Sequence, residues 1–259
     1  MQQIQLDFGY PWWLSYGHLV ILAATVAVMF LGYRRKWQRW LLVVFGLIAM
    51  WAGAAFLLIR FGLDVNSAAA LPTQNFFRSG DGRVLDLGAG TGRSSIMVLS
   101  ARPKATLVAL DLFADSFDMH FGSGESPQQR LLANLKVAGV AQRASIETAD
   151  MRKLPFASAS FDAIVSCYAV DHLPRDGIIE ALAESARVLK PGGDLLLMVV
   201  QNDRWVKFAF GPLLSHGATR GEAWWTSRAA EAGFTLVEAG APPATLYLLL
   251  KLPQPLHLQ

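Results

Sequence analysis

The sequence predicts an α/β fold, a seven-stranded and mostly parallel sheet closed by an antiparallel C-terminal hairpin, preceded by two transmembrane helices. Three observations predict it. Two charge-free apolar segments of membrane length stand near the start. From about residue 80, short apolar runs alternate with helix-like stretches, the signature of βαβ units. Two β-type runs separated by Gly240-Ala241-Pro242-Pro243 lie near the end. The implied organisation is a membrane hairpin over 1–62, a linker over 63–79 and an α/β domain over 80–259.

Residues 12–33 and 40–59 contain no Asp, Glu, Lys or Arg. Each is about 20 residues long, enough to cross a hydrocarbon core of roughly 30 Å as helix. Trp12, Trp13 and Tyr16 at one end, and Tyr33, Trp37 and Trp40 around the turn, suit the lipid–water boundary. Gly53, Ala54 and Ala55 allow the two helices to approach closely. A cleaved signal peptide fits poorly, because residues 1–10 carry Asp7 and no basic stretch, and a second apolar segment follows at once. Segments this long and free of charge also exceed ordinary core helices. The apolar excess of the whole chain, 53% hydrophobic residues against 17% charged, with a mean hydropathy of +0.33, is concentrated here.

The net charge of +3 does not mark a nucleic-acid binder. Four of the basic residues, Arg34, Arg35, Lys36 and Arg39, sit in the link between the apolar segments, where they meet lipid headgroups. Cys167 is the single cysteine, so neither a disulfide framework nor a thiolate metal cluster forms within one chain, and no metal site is expected.

In the α/β domain the expected strands are 83–87, 106–110, 145–148, 161–166 and 194–200, then 234–238 and 245–251 as the closing hairpin. A helix over 126–138 follows Ser126-Pro127 and ends near Gly139. Another over 176–189 ends at Lys190-Pro191-Gly192-Gly193.

The first strand runs into Asp86-Leu87-Gly88-Ala89-Gly90-Thr91-Gly92 and then into a helical stretch. Glycines in such a turn let a ligand approach the backbone. The turn is GxGxG and not GxGxxG, with the acidic Asp86 at the strand end, which suits a cationic or hydroxyl-bearing ligand better than pyrophosphate. A Walker loop is excluded, because no Gly-Lys-Ser/Thr follows. Asp111 ends the next apolar run about 20 residues on, where nucleotide-binding folds place an acid on the ribose hydroxyls. A dinucleotide is compatible with these two features alone, so a nicotinamide oxidoreductase remains open at this point.

Further blocks follow in order: Ala149-Asp150-Met151 with Leu154-Pro155-Phe156, then Ser160-Phe161-Asp162-Ala163-Ile164-Val165, then Asp171-His172-Leu173, then Arg187-Val188-Leu189-Lys190-Pro191-Gly192-Gly193. With the glycine loop and Asp111, they make residues of about 80–200 resemble the Rossmann-like class I S-adenosylmethionine-dependent methyltransferases, in the branch similar to ubiquinone/menaquinone-biosynthesis C-methyltransferases. The resemblance implies S-adenosylmethionine as cofactor. It places Gly88, Ala89, Gly90 and Gly92 against the cofactor's methionine part, Asp86 near its amino group and Asp111 with Leu112 at the ribose. Asp150 and Met151 flank the adenine, and Ser166 completes the set. Tyr168 and His172, after the fourth strand, are the candidate catalytic residues, and Cys167 reads as a buried strand-end residue.

Two insertions depart from a minimal fold. Residues 113–127, with Phe117, Met119, His120, Phe121 and Gly122-Ser123-Gly124, read as a lid. The stretch after the fifth strand carries Trp205, Phe208, Phe210, His216, Trp224 and Trp225, suited equally to an apolar ligand, to a membrane surface or to packing on the sheet. The hairpin and these aromatics imply a lipid bilayer partner and a hydrophobic or lipid-like acceptor such as a phospholipid headgroup or a quinone-like ring, with a small hydrophobic thiol or volatile molecule as the next choice. A membrane-tethered module that binds the cofactor without turnover is the alternative of another class. The basic link favours the cytoplasm by charge, which would put the α/β domain on the far side. Because the cofactor is made in the cytosol, the expectation is nevertheless an inner-membrane protein with its domain facing the cytoplasm. The oligomeric state is not legible.

Overall fold

The computed structural model describes residues 5–63, 67–113, 126–211 and 220–254. Two compact units emerge, one of residues 1–9, 68–201 and 218–259, the other of residues 10–67 and 202–217.

The α/β unit is built on a seven-stranded sheet of order β3-β2-β1-β4-β5-β7-β6. Its strands are β1 Asp81–Leu87, β2 Lys104–Asp111, β3 Ala144–Thr148, β4 Phe161–Cys167, β5 Leu189–Val200, β6 Thr235–Gly240 and β7 Thr245–Lys251. The first five pair in parallel, and β7 runs antiparallel between β5 and β6. β1 and β4 carry continuous buried runs, 84–87 and 163–166, rather than an alternating pattern, as strands covered on both faces must. Each expected strand is present, most of them a residue or more longer, since ladder pairing carries past the last strongly apolar residue. β5 is extended backward through Lys190-Pro191-Gly192-Gly193, because Leu189 already pairs with Phe161 across a bulge.

The sheet order reverses at β1: β2 and β3 lie on one side, β4 and β5 on the other. In such sheets the crevice beyond the carboxyl ends of the strands at the reversal holds the ligand. The helices of this unit pack on the sheet. In unit order, and numbering after the two apolar helices described below, they are α3 Arg93–Ala101, α4 Pro127–Val137, α5 Arg175–Val188 and α7 Glu222–Glu231. α4 opens with a capping box in which Gln129 N–H donates to Ser126 Oγ and Ser126 N–H to Gln129 Oε1, with Pro127 in the first turn.

Residues 71–77 also belong to this unit, with Leu71, Phe76 and Phe77 buried. Arg102 holds the backbone here, its guanidinium donating to the carbonyls of Phe76 and Phe77 at 2.7 and 2.9 Å. Trp225 on α7 is buried in the main core, which assigns that aromatic to sheet packing, and Trp224 leans on it at 5.0 Å. His216 and the candidate lid residues 114–125 lie outside the described residues.

The second unit holds α1 Trp12–Arg34 and α2 Arg39–Leu57, the latter continuing as a π-helical turn over Leu58–Leu63. Both are long and apolar enough to cross a membrane, and most of each surface is uncovered by protein. Ala49, Ala52 and Ala55 line the buried side of α2, so small residues set the close approach, while Gly53 faces Leu22. The unit also includes α6, Arg204–Phe210.

Candidate cofactor and acceptor site

The glycine loop leaves β1 at its carboxyl end. Gly88 and Ala89 N–H both donate to Leu110 O, at 2.8 and 3.0 Å, so the loop is held against the end of β2. Two of its glycines are required by sterics. Gly88 has φ +76, and a Cβ there would meet that of Ala169 at 2.2 Å. Gly92 has φ +94, and its Cβ would meet Leu131 Cδ1 at 2.5 Å. The loop thus runs in a slot between the segment after β4 and helix α4. Met151 Cε lies 3.2 Å from the same Cβ position on Gly88, which brings a residue of the β3–β4 connection to the loop.

Asp111, at the end of β2, braces the loop. One carboxylate oxygen accepts from Gly90 N–H at 2.9 Å and the other from Phe113 N–H at 2.9 Å. Each oxygen keeps a further lone pair for a hydroxyl donor. Leu112 beside it is exposed.

Asp86 is fully buried under the loop. One carboxylate oxygen accepts from the Ser94 and Ser95 hydroxyls at 2.7 and 2.6 Å, which fixes the first turn of α3. The other oxygen has no hydrogen-bond partner among the described residues. Burial, opposed by the two serine bonds and aided by the charge of Asp111, raises its pKa to about 6. An orphaned buried carboxylate beneath a glycine cradle fits a cationic ligand, and Asp111 fits a vicinal diol; both groups belong to S-adenosylmethionine.

The other expected residues fall in different places. Asp150 is engaged by Arg152, whose guanidinium grips both oxygens at 2.6 to 3.0 Å and holds the carboxyl below its usual range. Ser166 is buried and donates to Leu87 O at 2.8 Å, tying the ends of β1 and β4 together. Tyr168 takes a left-handed backbone, φ +54, directly after β4, and its hydroxyl pairs with Thr245 Oγ1 at 2.8 Å. Such a backbone conformation costs a non-glycine residue about 1–3 kcal/mol and is held here by the surrounding structure. His172 is exposed on the following turn. Cys167 has its thiol pushed well above the ordinary range, chiefly by burial and further by Asp86, with Arg93 opposing. A thiol held protonated in this way is a poor nucleophile. Among the described residues no cluster of His, Cys, Asp or Glu forms a metal site.

Two residues at this edge, Asn134 and Thr245, carry no signal in the sequence. Asn134 on α4 is buried and joins the glycine loop to the chain start: its Nδ2 donates to Thr91 O and Asp7 O, at 2.9 and 2.8 Å, and its Oδ1 accepts from Asp7 N–H at 2.9 Å. Thr91 Oγ1 donates to Phe8 O at 3.0 Å, and Phe8 is 1% exposed. Thr245 is the partner of Tyr168. An isolated Asn on a helix and a Thr opening a strand carry no motif, so only the fold brings them forward.

Residues 84–193 match the Methyltransferase domain family. The ubiquinone/menaquinone biosynthesis C-methyltransferase UbiE of Syntrophotalea carbinolica is 29% identical over 141 residues, covering 54% of this chain and 53% of the relative. The chain therefore spans about half the length of the curated relatives it matches. Among solved structures, the S-adenosylmethionine-dependent methyltransferase SibL superimposes with a TM-score of 0.57 at 20% identity, over 82% of this chain and 59% of that one. The cyclase SpnF superimposes with a TM-score of 0.51 at 16% identity, over 68% of this chain and 76% of that one, so the fold by itself is shared beyond methyl transfer. Over residues 84–193 the family match, the sheet order and the loop agree, and this segment is similar to the class I S-adenosylmethionine-dependent methyltransferase domains, whose cofactor is S-adenosylmethionine.

Proposed function

We propose that the whole protein is a membrane-anchored methyltransferase that methylates a hydrophobic, quinone-like or lipid-like acceptor, with its catalytic domain facing the cytoplasm. The observation that carries the membrane half is the hairpin. Its two spans, 12–34 and 39–62, of 23 and 24 residues, expose Val26, Phe30, Leu31, Val43, Leu47 and Met50, side chains that only a lipid environment would cover at no cost. The relatives named for ubiquinone/menaquinone biosynthesis support the acceptor class. The cytosolic origin of the cofactor supports the orientation, against the charge of the Arg34 to Arg39 link.

When bound, S-adenosylmethionine supplies a methyl group on a sulfonium, already activated for in-line displacement. The chain's own task is alignment in a dry pocket. Gly88, Ala89, Gly90 and Gly92 offer backbone to the methionine part. Asp86 answers the positive charge from below the loop. Asp111 takes the ribose hydroxyls, with Leu112 alongside, and Met151 gives the adenine a soft apolar face. Asp150 divides its carboxylate between the adenine and Arg152. Tyr168, strained and steadied by Thr245, contacts the acceptor, with Ser166 fixing the strand ends behind it. His172, exposed, receives a proton at the surface if the acceptor releases one.

Membranes containing the full chain, given cofactor labelled in its methyl group, test this reading. Label recovered in the organic extract is expected; label confined to water-soluble products would contradict the acceptor class.

A further inference from the structure

We infer that α6, in the stretch after β5, is a third membrane-contacting element, an interfacial helix seated in the headgroup layer of an anionic bilayer. The inference rests on the reading that the hairpin spans a membrane. α6 has seven residues, far too few to hold helical form alone. Asp203 caps it, Oδ1 accepting from Trp205 and Val206 N–H at 2.9 and 3.0 Å.

The remaining support comes from the hairpin. Ala209 is fully buried against Ala55 and Ile59, with Leu58 and Phe210 at the margin. Two polar ties reinforce that contact. The Trp51 indole N–H donates to Phe208 O at 2.8 Å, and His18 Nε2 lies 2.7 Å from Ala209 O. A carbonyl oxygen only accepts, so Nε2 carries the proton. The His18 ring packs edge-on against Trp51 and Phe210, at 5.3 and 5.6 Å. A histidine in an apolar spanning helix is costly unless partnered, and here its partner is the backbone of α6.

Among the described residues the opposite face has no such cover. Trp205 and Phe208, three apart on one side, are 37% and 43% exposed. Arg204 and Lys207 are exposed beside them, with the Arg204 guanidinium 4.8 Å above the Trp205 ring. Aromatic rings interleaved with cations match a layer of acyl carbonyls and phosphates. The level agrees as well. His18 is the seventh residue of α1, roughly 9 Å along the axis from its start, and Ile59 stands beside Arg60 at the end of α2. α6 therefore crosses the open end of the hairpin, where Trp12, Trp13 and Tyr16 are also exposed. This continuity with the lipid-facing surface favours lipid over a protein partner as the occupant. Gln201, Asn202 and Asp203 separate β5 from α6 in the chain.

The full-length chain in a Cys167→Ser background, reconstituted in vesicles of phosphatidylcholine and phosphatidylglycerol at three to one, decides the matter. Nitroxide labels are placed singly by Trp205→Cys, Phe208→Cys and Phe30→Cys, with Lys153→Cys as the aqueous control. Retained binding of S-adenosylhomocysteine in each variant establishes that it is folded. The expected result is headgroup depth at 205 and 208, with oxygen collisions several-fold above those at 153, and acyl-chain depth at 30. Acyl depth at 30 with aqueous or protein-packed signals at 205 and 208 would overturn the inference and leave the hairpin standing. Aqueous signals at 30 would remove both. Arg204→Gln with Lys207→Gln should shift the label at 208 toward water in the same vesicles; no shift would contradict the role of the cations.

Discussion

The Asn134 side chain reads both backbone groups of Asp7, accepting from its N–H at 2.9 Å and donating to its carbonyl at 2.8 Å, while reaching the glycine loop at Thr91 O. The residues just ahead of the first apolar helix are thereby fastened to the cofactor loop. Removing the amide strands the buried Thr91 carbonyl, at a cost of about 1–3 kcal/mol, and frees two partly exposed backbone groups of Asp7. Asn134→Ala is expected to raise the cofactor KM roughly tenfold with kcat within about twofold. Asn134→Asp, which loses both donors and sets a buried carboxylate against two carbonyl oxygens, should cost at least as much. Equal loss in kcat for both variants would mean that Asn134 does not act through the loop.

Gly92→Ala should abolish cofactor binding, since both the backbone conformation and Leu131 oppose it. Strain of this kind costs about 1–3 kcal/mol before the clash is added. Pairing it with Leu131→Ala relieves the clash and leaves the strained φ, so titration should show partial recovery. Full recovery would show that φ at this position is unimportant.

The fold was readable in these residues for a physical reason: the recurrent blocks pair with one another. Lys190 Nζ donates to Asp162 Oδ1 at 2.6 Å, and Arg187 donates to Phe156 O and Leu154 O at 2.7 and 3.0 Å while gripping Glu184. The Leu154-Pro155-Phe156, Ser160 to Val165 and Arg187 to Gly193 blocks are thus mutual scaffolding, which is why they announce the fold and not the acceptor. The loop and Asp111 were legible because backbone geometry dictates residue type there. Asp150 was harder, because its neighbour Arg152 competes for it. Trp225 and Trp205 look alike in sequence, yet one fills the core and the other faces outward; hydropathy has no term for the destination.

Arg187→Met removes the donors from the Leu154 and Phe156 carbonyls and leaves Glu184 without its cation. A loss of about 2–3 kcal/mol in unfolding free energy is expected, with kcat unchanged at temperatures below the transition. Denaturant unfolding together with kinetics checks it; loss of kcat without loss of stability would place Arg187 in the chemistry.

Asp86 gives the domain a pH signature. Its folded pKa, about 6, stands above the ordinary 3.8. Between those values the native state keeps a proton that the unfolded chain has released, so this contribution is full below 3.8 and is lost as pH rises through 6. The shift is equivalent to roughly 3 kcal/mol at most. Asp86→Asn, which still accepts from Ser94 and Ser95, should therefore raise the Tm at pH 7.5, keep about half of that advantage at pH 5 and lose it below 3.8, while weakening cofactor binding. A Tm difference independent of pH would contradict the assignment.

Cys167 offers a negative test of the chemistry. With its thiol raised by burial, alkylation of the native protein at pH 8 should be at least tenfold slower than of the unfolded chain, and Cys167→Ser should keep turnover. Rapid modification with parallel loss of activity would reopen a nucleophilic role.

The central claim is that the cradle formed by the loop of Asp86 to Gly92 with Asp111 holds S-adenosylmethionine. Calorimetric titration of the full-length chain in detergent micelles, with S-adenosylmethionine and separately with NADH, tests it most directly. Saturable binding of S-adenosylmethionine is expected, weakened about a hundredfold by Asp111→Ala, the scale of two lost hydrogen bonds to a charged group, with no saturable heat from the dinucleotide. Tighter binding of NADH, or S-adenosylmethionine binding indifferent to Asp111, would contradict it.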